Sequence, residues 1–187
     1  PRGTFAEACR VIRSNISFKL PNSSDKCQVI LSTSSIKGEG KTLTIFNLAA
    51  SYVAAGNKVL LIGADLRNPQ LHNLVGYDRK SGSEGLSTIL SKSTENLSEN
   101  IIAVDIFNSS MDVMLSGPIP PNPAELLNSD KFSNLLNQLK NNYDYILIDS
   151  APILLVSDTI PILKYADLVV YSTRAHYTDK KILPFID

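Results

Sequence analysis

The chain has 187 residues, with 18 basic against 18 acidic side chains. That length suits one domain, which buries roughly 70% of its extended surface, and the charge balance gives no footprint for a nucleic acid or another polyanion. Two cysteines, Cys9 and Cys27, form no C-x-x-C pair, and no histidine pair has metal spacing, so a disulfide framework and a zinc site are excluded and a reducing compartment fits. No apolar run nears the ~20 residues that cross a bilayer, and no signal-peptide pattern opens the chain. Because it begins at Pro1 and ends at Asp187 inside a helical pattern, it reads as a single excised domain, residues 1–187, truncated at its C-terminal end.

Apolar residues at Phe5, Cys9, Ile12 and Ile16 have the spacing of one helical face, and predict an amphipathic helix over 4–18 with a Thr4-x-x-Glu7 capping box. Glu7, Arg10 and Arg13 lie along one side of it. By spacing alone they form a solvated face, with Glu7 as cap and Arg10 as its partner, worth a few tenths of a kcal/mol (about 0.3). Pro21 to Lys26, with its Asn-Ser-Ser-Asp cluster, reads as a turn. Gln28 to Ser32 then reads as the first buried strand.

The next stretch is Ser35-Ile36-Lys37-Gly38-Glu39-Gly40-Lys41-Thr42, followed by an apolar-periodic segment from Leu43 to Ala55. It predicts a strand, a phosphate-cradling loop and a helix. Gly38 and Gly40 let successive backbone N–H groups turn inward, Lys41 can reach the β- and γ-phosphates, the Thr42 hydroxyl can ligate Mg²⁺, and the helix N-terminus adds its dipole. A triphosphate is the ligand best suited to this loop, with Ser35, Lys37, Gly38, Glu39, Gly40, Lys41, Thr42 and Leu43 as its binding residues. Ser35 replaces the first glycine of the strict G-x-x-x-x-G-K-[ST] form; the closing Gly-Lys-Thr is intact.

Gly56 closes that helix, and Lys58 to Ile62 is a second unbroken apolar strand. Such runs, separated by helices, signal a parallel sheet with crossover connections. Ligands bind beyond the carboxyl ends of such strands, so Asp65 and Arg67 are placed to face the nucleotide. Asp65 can orient Mg²⁺ or accept a proton; Arg67 can hold phosphate or pair with an acidic neighbour. Gln70 to Gly85 reads as an exposed loop in which His72 is a packing or surface residue. A short helix from Gly85–Leu86 to Leu90, a polar mobile stretch to Asn100, and strands over 101–107 and 111–115 follow.

Four prolines between Ser116 and Pro123 forbid regular structure; the loop either clamps an adenine ring or is a stiff connector, and Asn122 with Pro123 starts the next helix. Phe132, Leu135, Leu136 and Leu139 share a helical face. Tyr143 to Ile148 is a third core strand, ending at Asp149, where a carboxylate can complete a Mg²⁺ shell opposite Thr42. A helix over 158–165, a strand over 167–172 and a helix from Thr178 complete the alternation. It predicts an α/β fold: a doubly wound, mostly parallel sheet flanked by helices on both faces.

Three strand-end motifs in order, the Lys41 loop, Leu60-Leu61-Ile62-Gly63-Ala64-Asp65-Leu66-Arg67 and Ile146-Leu147-Ile148-Asp149, resemble those of the bacterial tyrosine kinases of exopolysaccharide and capsule export, a branch of the P-loop ATPases. Ser116 to Leu127 resembles the loop before that family's long helix, and Glu7-x-x-Arg10-x-x-Arg13 resembles its oligomerisation motif. The resemblance implies a P-loop NTPase-like fold, with Lys41 and Thr42 on the phosphates and Mg²⁺. It also implies Asp149 in the metal shell, Asp65 in the second acidic motif as a further metal or catalytic residue, and Glu7, Arg10 and Arg13 bridging subunits of a ring. The implied chemistry is transfer of the ATP γ-phosphoryl to tyrosines of a neighbouring subunit or of other tyrosine-containing protein substrates. The implied setting is the cytoplasmic side of the bacterial inner membrane, with a transmembrane activator segment or subunit as partner.

The sequence departs from that pattern at three points. Gly63 replaces the first aspartate of Asp-x-Asp-x-Arg, Ala151 stands where proline is usual, and no tyrosine cluster follows Ile182. The first departure leaves open whether Asp65 takes over the carboxylate's work, since a tyrosine must lose its proton as phosphate transfers. Two other readings stand beside the kinase: an ATP-bound assembly switch whose transfer activity is lost at Gly63, and a partition-type ATPase. Against the latter, Ile36 occupies the place where that group carries lysine.

Overall fold

The strands alternate between two apolar layers, which is why their sequences run apolar without a break. In the computed structural model, which describes residues 2–20, 26–77, 84–92, 97–106 and 108–185, the chain runs α1 (Arg2–Lys19), β1 (Gln28–Ser34), α2 (Lys41–Val53), β2 (Val59–Gly63), α3 (Leu71–Leu74), α4 (Leu86–Ser91), β3 (Ile102–Ile106), β4 (Ser109–Met114), α5 (Pro123–Leu127), α6 (Asp130–Leu139), β5 (Tyr145–Asp149), α7 (Ile160–Leu163) and β6 (Leu168–Ser172). The strands form one sheet in the order β3-β4-β2-β5-β1-β6. Every pairing is parallel except β3 with β4.

Ile30 of β1, Val59 and Leu61 of β2 and Leu147 of β5 point to one side, where Ile16 of α1 and Ile45, Leu48, Ala49 and Tyr52 of α2 cover them. Val29, Leu31, Leu60, Ile62, Ile146 and Ile148 point to the other, against α4, α5, α6 and α7 through Leu86, Leu127, Phe132, Leu136 and Ile162. A sheet sealed on both faces is the setting that parallel strands require. The predicted doubly wound, mostly parallel sheet is therefore the fold observed.

Several local expectations are corrected. The first helix begins by Arg2, so Thr4 lies within its first turn and Glu7 pairs with Arg10 instead of closing a capping box. The stretch after Gln70 is not simply an exposed loop. It holds α3, whose Leu71 is fully buried in the layer beneath α2. The predicted helix over 158–165 is a 3₁₀ turn, Ser157–Thr159, continuing into the one-turn α7. A 3₁₀ segment, Lys180–Phe185, stands in place of the helix from Thr178; Pro184 lies inside it and offers no N–H to continue an α-helix. Asn122 does precede Pro123 at the start of α5, but its side chain donates to the Glu125 carboxylate rather than capping the backbone. The turn predicted at Pro21 to Lys26, and the polar stretches at 78–83 and 93–96, fall outside the described residues wholly or in large part.

Candidate functional site

The sheet order decides which strand ends meet. β5 lies between β1 and β2, with Asp149 in register with Ser32 on one side and Gly63 on the other. The loop after β1, the turn after β2 and the last residue of β5 therefore converge at the carboxyl edge of the sheet. Ala64 N–H donates to the Asp149 carbonyl at 2.8 Å and Ser150 N–H to the Ser32 carbonyl at 3.0 Å, carrying the strand register past the strand ends.

Gly40 precedes α2 with φ 91° and Gly38 has φ 83°, left-handed conformations that residues with a Cβ rarely adopt. They fold the loop so that α2 starts directly at Lys41. The Lys41 ammonium lies 3.0 Å from an Asp65 carboxylate oxygen and 3.5 Å from Asp149 Oδ1, and the Thr42 hydroxyl donates to Asp149 Oδ1 at 3.1 Å. Asp65 is fixed in turn by the Asn68 N–H, which donates to its Oδ1 at 2.9 Å.

Lys41, Asp65 and Asp149 are all buried. Burial pushes the Asp149 carboxyl up to about 6, with Lys41 and the Thr42 hydroxyl pulling the other way. Two carboxylates and one ammonium leave the buried group with an excess of acceptor oxygens. That donor set suits a hard cation, and P-loop sites hold Mg²⁺ through one or two protein oxygens with phosphate and water completing the shell. Thr42 and Asp149, joined by a hydrogen bond, could hold it, and Asp65 stands 3.0 Å from the Lys41 ammonium beside them. Among the described residues, no group of three His, Cys, Asp or Glu is arranged to hold a metal unaided.

A cleft of about 510 Å³ opens in front of this group, lined by Lys37, Gly38, Gly40, Lys41, Thr42 and Leu43 from the loop side, by Asp65, Arg67, Asn68 and Gln70 after β2, and by Ala151, Pro152, Leu155 and Val156 after β5. The sequence-predicted residues Lys41, Thr42, Asp65 and Asp149 are thus brought together. Arg67 sits on the rim. Its guanidinium grips Asp158 with two hydrogen bonds, 2.6 and 3.0 Å, so the acidic partner is Asp158 and not Asp65. The proline-rich loop stays away from this cleft: it docks on α4, with Leu86 N–H bonded to the Leu115 carbonyl and the Ser87 hydroxyl to the Pro118 carbonyl. No residue of 116–123 lines the cleft, which favours the stiff connector over the adenine clamp.

The side chains of Ser35 and Glu39 are engaged in contacts that hold the loop. The Ser35 hydroxyl is 2.8 Å from the Tyr171 hydroxyl, and the Glu39 carboxylate accepts the Ile36 N–H at 2.8 Å. On α1, Glu7 and Arg10 pair at 2.7 Å on the exposed side, while Arg13 turns inward and donates to the Ser51 carbonyl of α2. Asp158, Arg174, Tyr177 and Thr178 were not singled out by sequence. They meet the site only through tertiary contacts more than 90 positions away, and no local spacing announces that.

The AAA domain family matches residues 28–183. A putative tyrosine-protein kinase, CapB, of Staphylococcus aureus is 36% identical over 184 residues, spanning 97% of this chain and 77% of that protein. The tyrosine-protein kinase YwqD of Bacillus subtilis is 36% identical over 97% of this chain and 73% of its own length. The solved kinase domain of the Escherichia coli tyrosine kinase ETK superposes with a TM-score of 0.85 at 29% identity, covering 96% of this chain and 68% of that one.

Proposed function

Since this chain belongs to the AAA-domain branch of bacterial tyrosine-protein kinases, we propose that it binds Mg²⁺-ATP in the loop at 35–43 and transfers the γ-phosphoryl group to tyrosines of neighbouring copies or other proteins, in the service of capsule or exopolysaccharide synthesis. The observation that carries the reading is the buried Lys41–Asp65–Asp149 group with Thr42, set at the rear of an open cleft.

The loop N–H groups and the α2 N-terminus supply fixed partial positive charge for the β- and γ-phosphates. On nucleotide binding, Lys41 exchanges its carboxylate partners for phosphate oxygens, and Asp149 with Thr42 offers oxygens to the cation. A Mg²⁺ ion held by Thr42 and Asp149 would supply positive charge to offset that developing on the phosphate oxygens. Asp65, whose carboxylate lies 3.0 Å from the Lys41 ammonium, is released when Lys41 turns to phosphate, and we assign it the acceptor role left open by Gly63. Arg67, held by Asp158, keeps its position on the rim facing incoming substrate. Glu7, Arg10 and Arg13 provide the contact through which copies assemble in a ring, and a transmembrane activator at the cytoplasmic face of the inner membrane completes the system. No helix among the described residues is long and apolar enough to cross a membrane.

Lys41→Met should remove ATP binding in isothermal titration while circular dichroism shows the fold retained. A folded Lys41→Met protein with undiminished ATP affinity would refute the assignment.

A further inference from the structure

The phosphate loop is gripped from outside by a turn that follows β6, nearly 140 residues away. The Tyr177 hydroxyl donates to the Lys37 carbonyl at 2.9 Å, and Arg174 Nη1 donates to the Gly38 carbonyl at 3.1 Å. Thr178 Oγ1 accepts the Arg174 N–H at 2.8 Å and donates to Glu39 Oε1 at 2.5 Å, and the other oxygen of that carboxylate holds the Ile36 N–H. The Arg174 guanidinium also lies 5.1 Å from the centre of the Tyr177 ring, so the two anchors brace each other. His176 between them has φ 60°, a left-handed conformation uncommon outside glycine, which tightens the turn enough to bring both side chains onto the loop. A Cβ on Gly38 would come within 2.9 Å of the Tyr177 hydroxyl, so that glycine serves the outer contact as well as the inner one.

A trans peptide unit points its C=O and N–H in opposite directions. Holding the Lys37 and Gly38 carbonyls outward therefore turns the N–H groups of Gly38 and Glu39 the other way, toward the side where phosphate would lie. In the free state those N–H groups have no phosphate to align them, and an isolated glycine-rich loop would sample many orientations.

We infer that Arg174, Tyr177 and Thr178 form a strap that pre-sets two peptide planes of the phosphate loop, making Arg174 and Tyr177 positioning residues for nucleotide affinity. The inference rests on the ATP-binding reading of the same loop. Tyr177→Phe is the sharpest probe, because the ring and its contact with Arg174 stay and only the hydroxyl donor goes. Arg174→Ala removes the second anchor.

Full-length wild type and both variants are titrated with a fluorescent ATP analogue in the presence of Mg²⁺, with steady-state kinetics and nucleotide-free melting run alongside. Tyr177→Phe should weaken affinity and raise KM for ATP together by about 3- to 10-fold, with kcat changed by less than about twofold and the nucleotide-free Tm within about 2 °C of wild type. Arg174→Ala should weaken affinity at least as much. Affinity of Tyr177→Phe equal to wild type overturns the strap, as does a loss confined to kcat or one matched by a fall in nucleotide-free Tm. A wild type that binds no ATP would instead sink the underlying functional reading, so the two failures are distinguishable.

Discussion

At position 63 a strand that ends in the site has no side chain, and the space is already taken. A Cβ built there would lie 2.8 Å from the Ser116 hydroxyl and 3.2 Å from the Ser116 backbone nitrogen, with a Leu71 methyl at 3.5 Å. The hydroxyl can swing away by rotation about χ1, whereas the backbone nitrogen can move only with the segment after β4. Gly63→Asp should therefore cost about 1–3 kcal/mol through overpacking, read as a fall in Tm of roughly 3–10 °C, and Ser116→Ala in the same chain should restore part of it. An unchanged melting point on introducing the aspartate would contradict this steric account. Gly63 is thus a repacked position and not an empty slot awaiting a carboxylate, and the carboxylates that do reach Lys41 are Asp65 at 3.0 Å and Asp149 at 3.5 Å. At this scale the sequence was most informative where one short motif dictates geometry. Lys41, Thr42, Asp65 and Asp149 were all legible because each stands at a strand end or helix start. The Asp158 partner of Arg67 was not, because an ion pair between the turn after β2 and the 3₁₀ turn at Ser157–Thr159 leaves no periodic trace.

Among the elements, α1 carries the clearest division of labour. Spacing along the helix groups Glu7, Arg10 and Arg13, yet the fold separates them: Arg10 is exposed and paired with Glu7, while Arg13 is half-buried and bonded to the Ser51 carbonyl of α2. If these residues join copies of the chain, the two arginines should fail differently. Arg10→Ala should shift the full-length protein toward monomer in light scattering with its melting unchanged, since an exposed pair adds little to stability. Arg13→Ala should lower the assembled mass and also destabilise each subunit by about 1 kcal/mol through the lost hydrogen bond. An unchanged mass for both would return them to a solvated helix face.

The sheet itself was readable from its apolar runs, which two packed layers demand. Helix limits near residues 158 and 178 were less so, because a proline and short turns make 3₁₀ segments that mimic the onset of a helix. The strap on the phosphate loop escaped for a related reason: its turn is polar, exposed and far along the chain, and only the position of β6 beside β1 brings it to the loop.

For the molecule as a whole, topology turns three separated motifs into one site. Placing β5 between β1 and β2 brings Asp149 to Lys41 and Asp65 at one edge of the sheet, while two sealed layers, anchored by Tyr52 and Phe132, hold that edge rigid. A rigid rear wall with an open cleft in front suits phosphoryl transfer, where positioning and charge stabilisation supply most of the rate. The same wall would also serve a nucleotide-controlled assembly switch, and the fate of the γ-phosphate separates the two. The decisive measurement is incubation of the full-length protein, as it stands and with Gly63→Asp, with γ-labelled ATP and Mg²⁺, followed by phosphoamino-acid analysis. Kinase function predicts label on tyrosine in the natural chain and none in its Lys41→Met variant. Absence of tyrosine label from both the natural and the Gly63→Asp proteins, while both bind ATP and assemble, would contradict it.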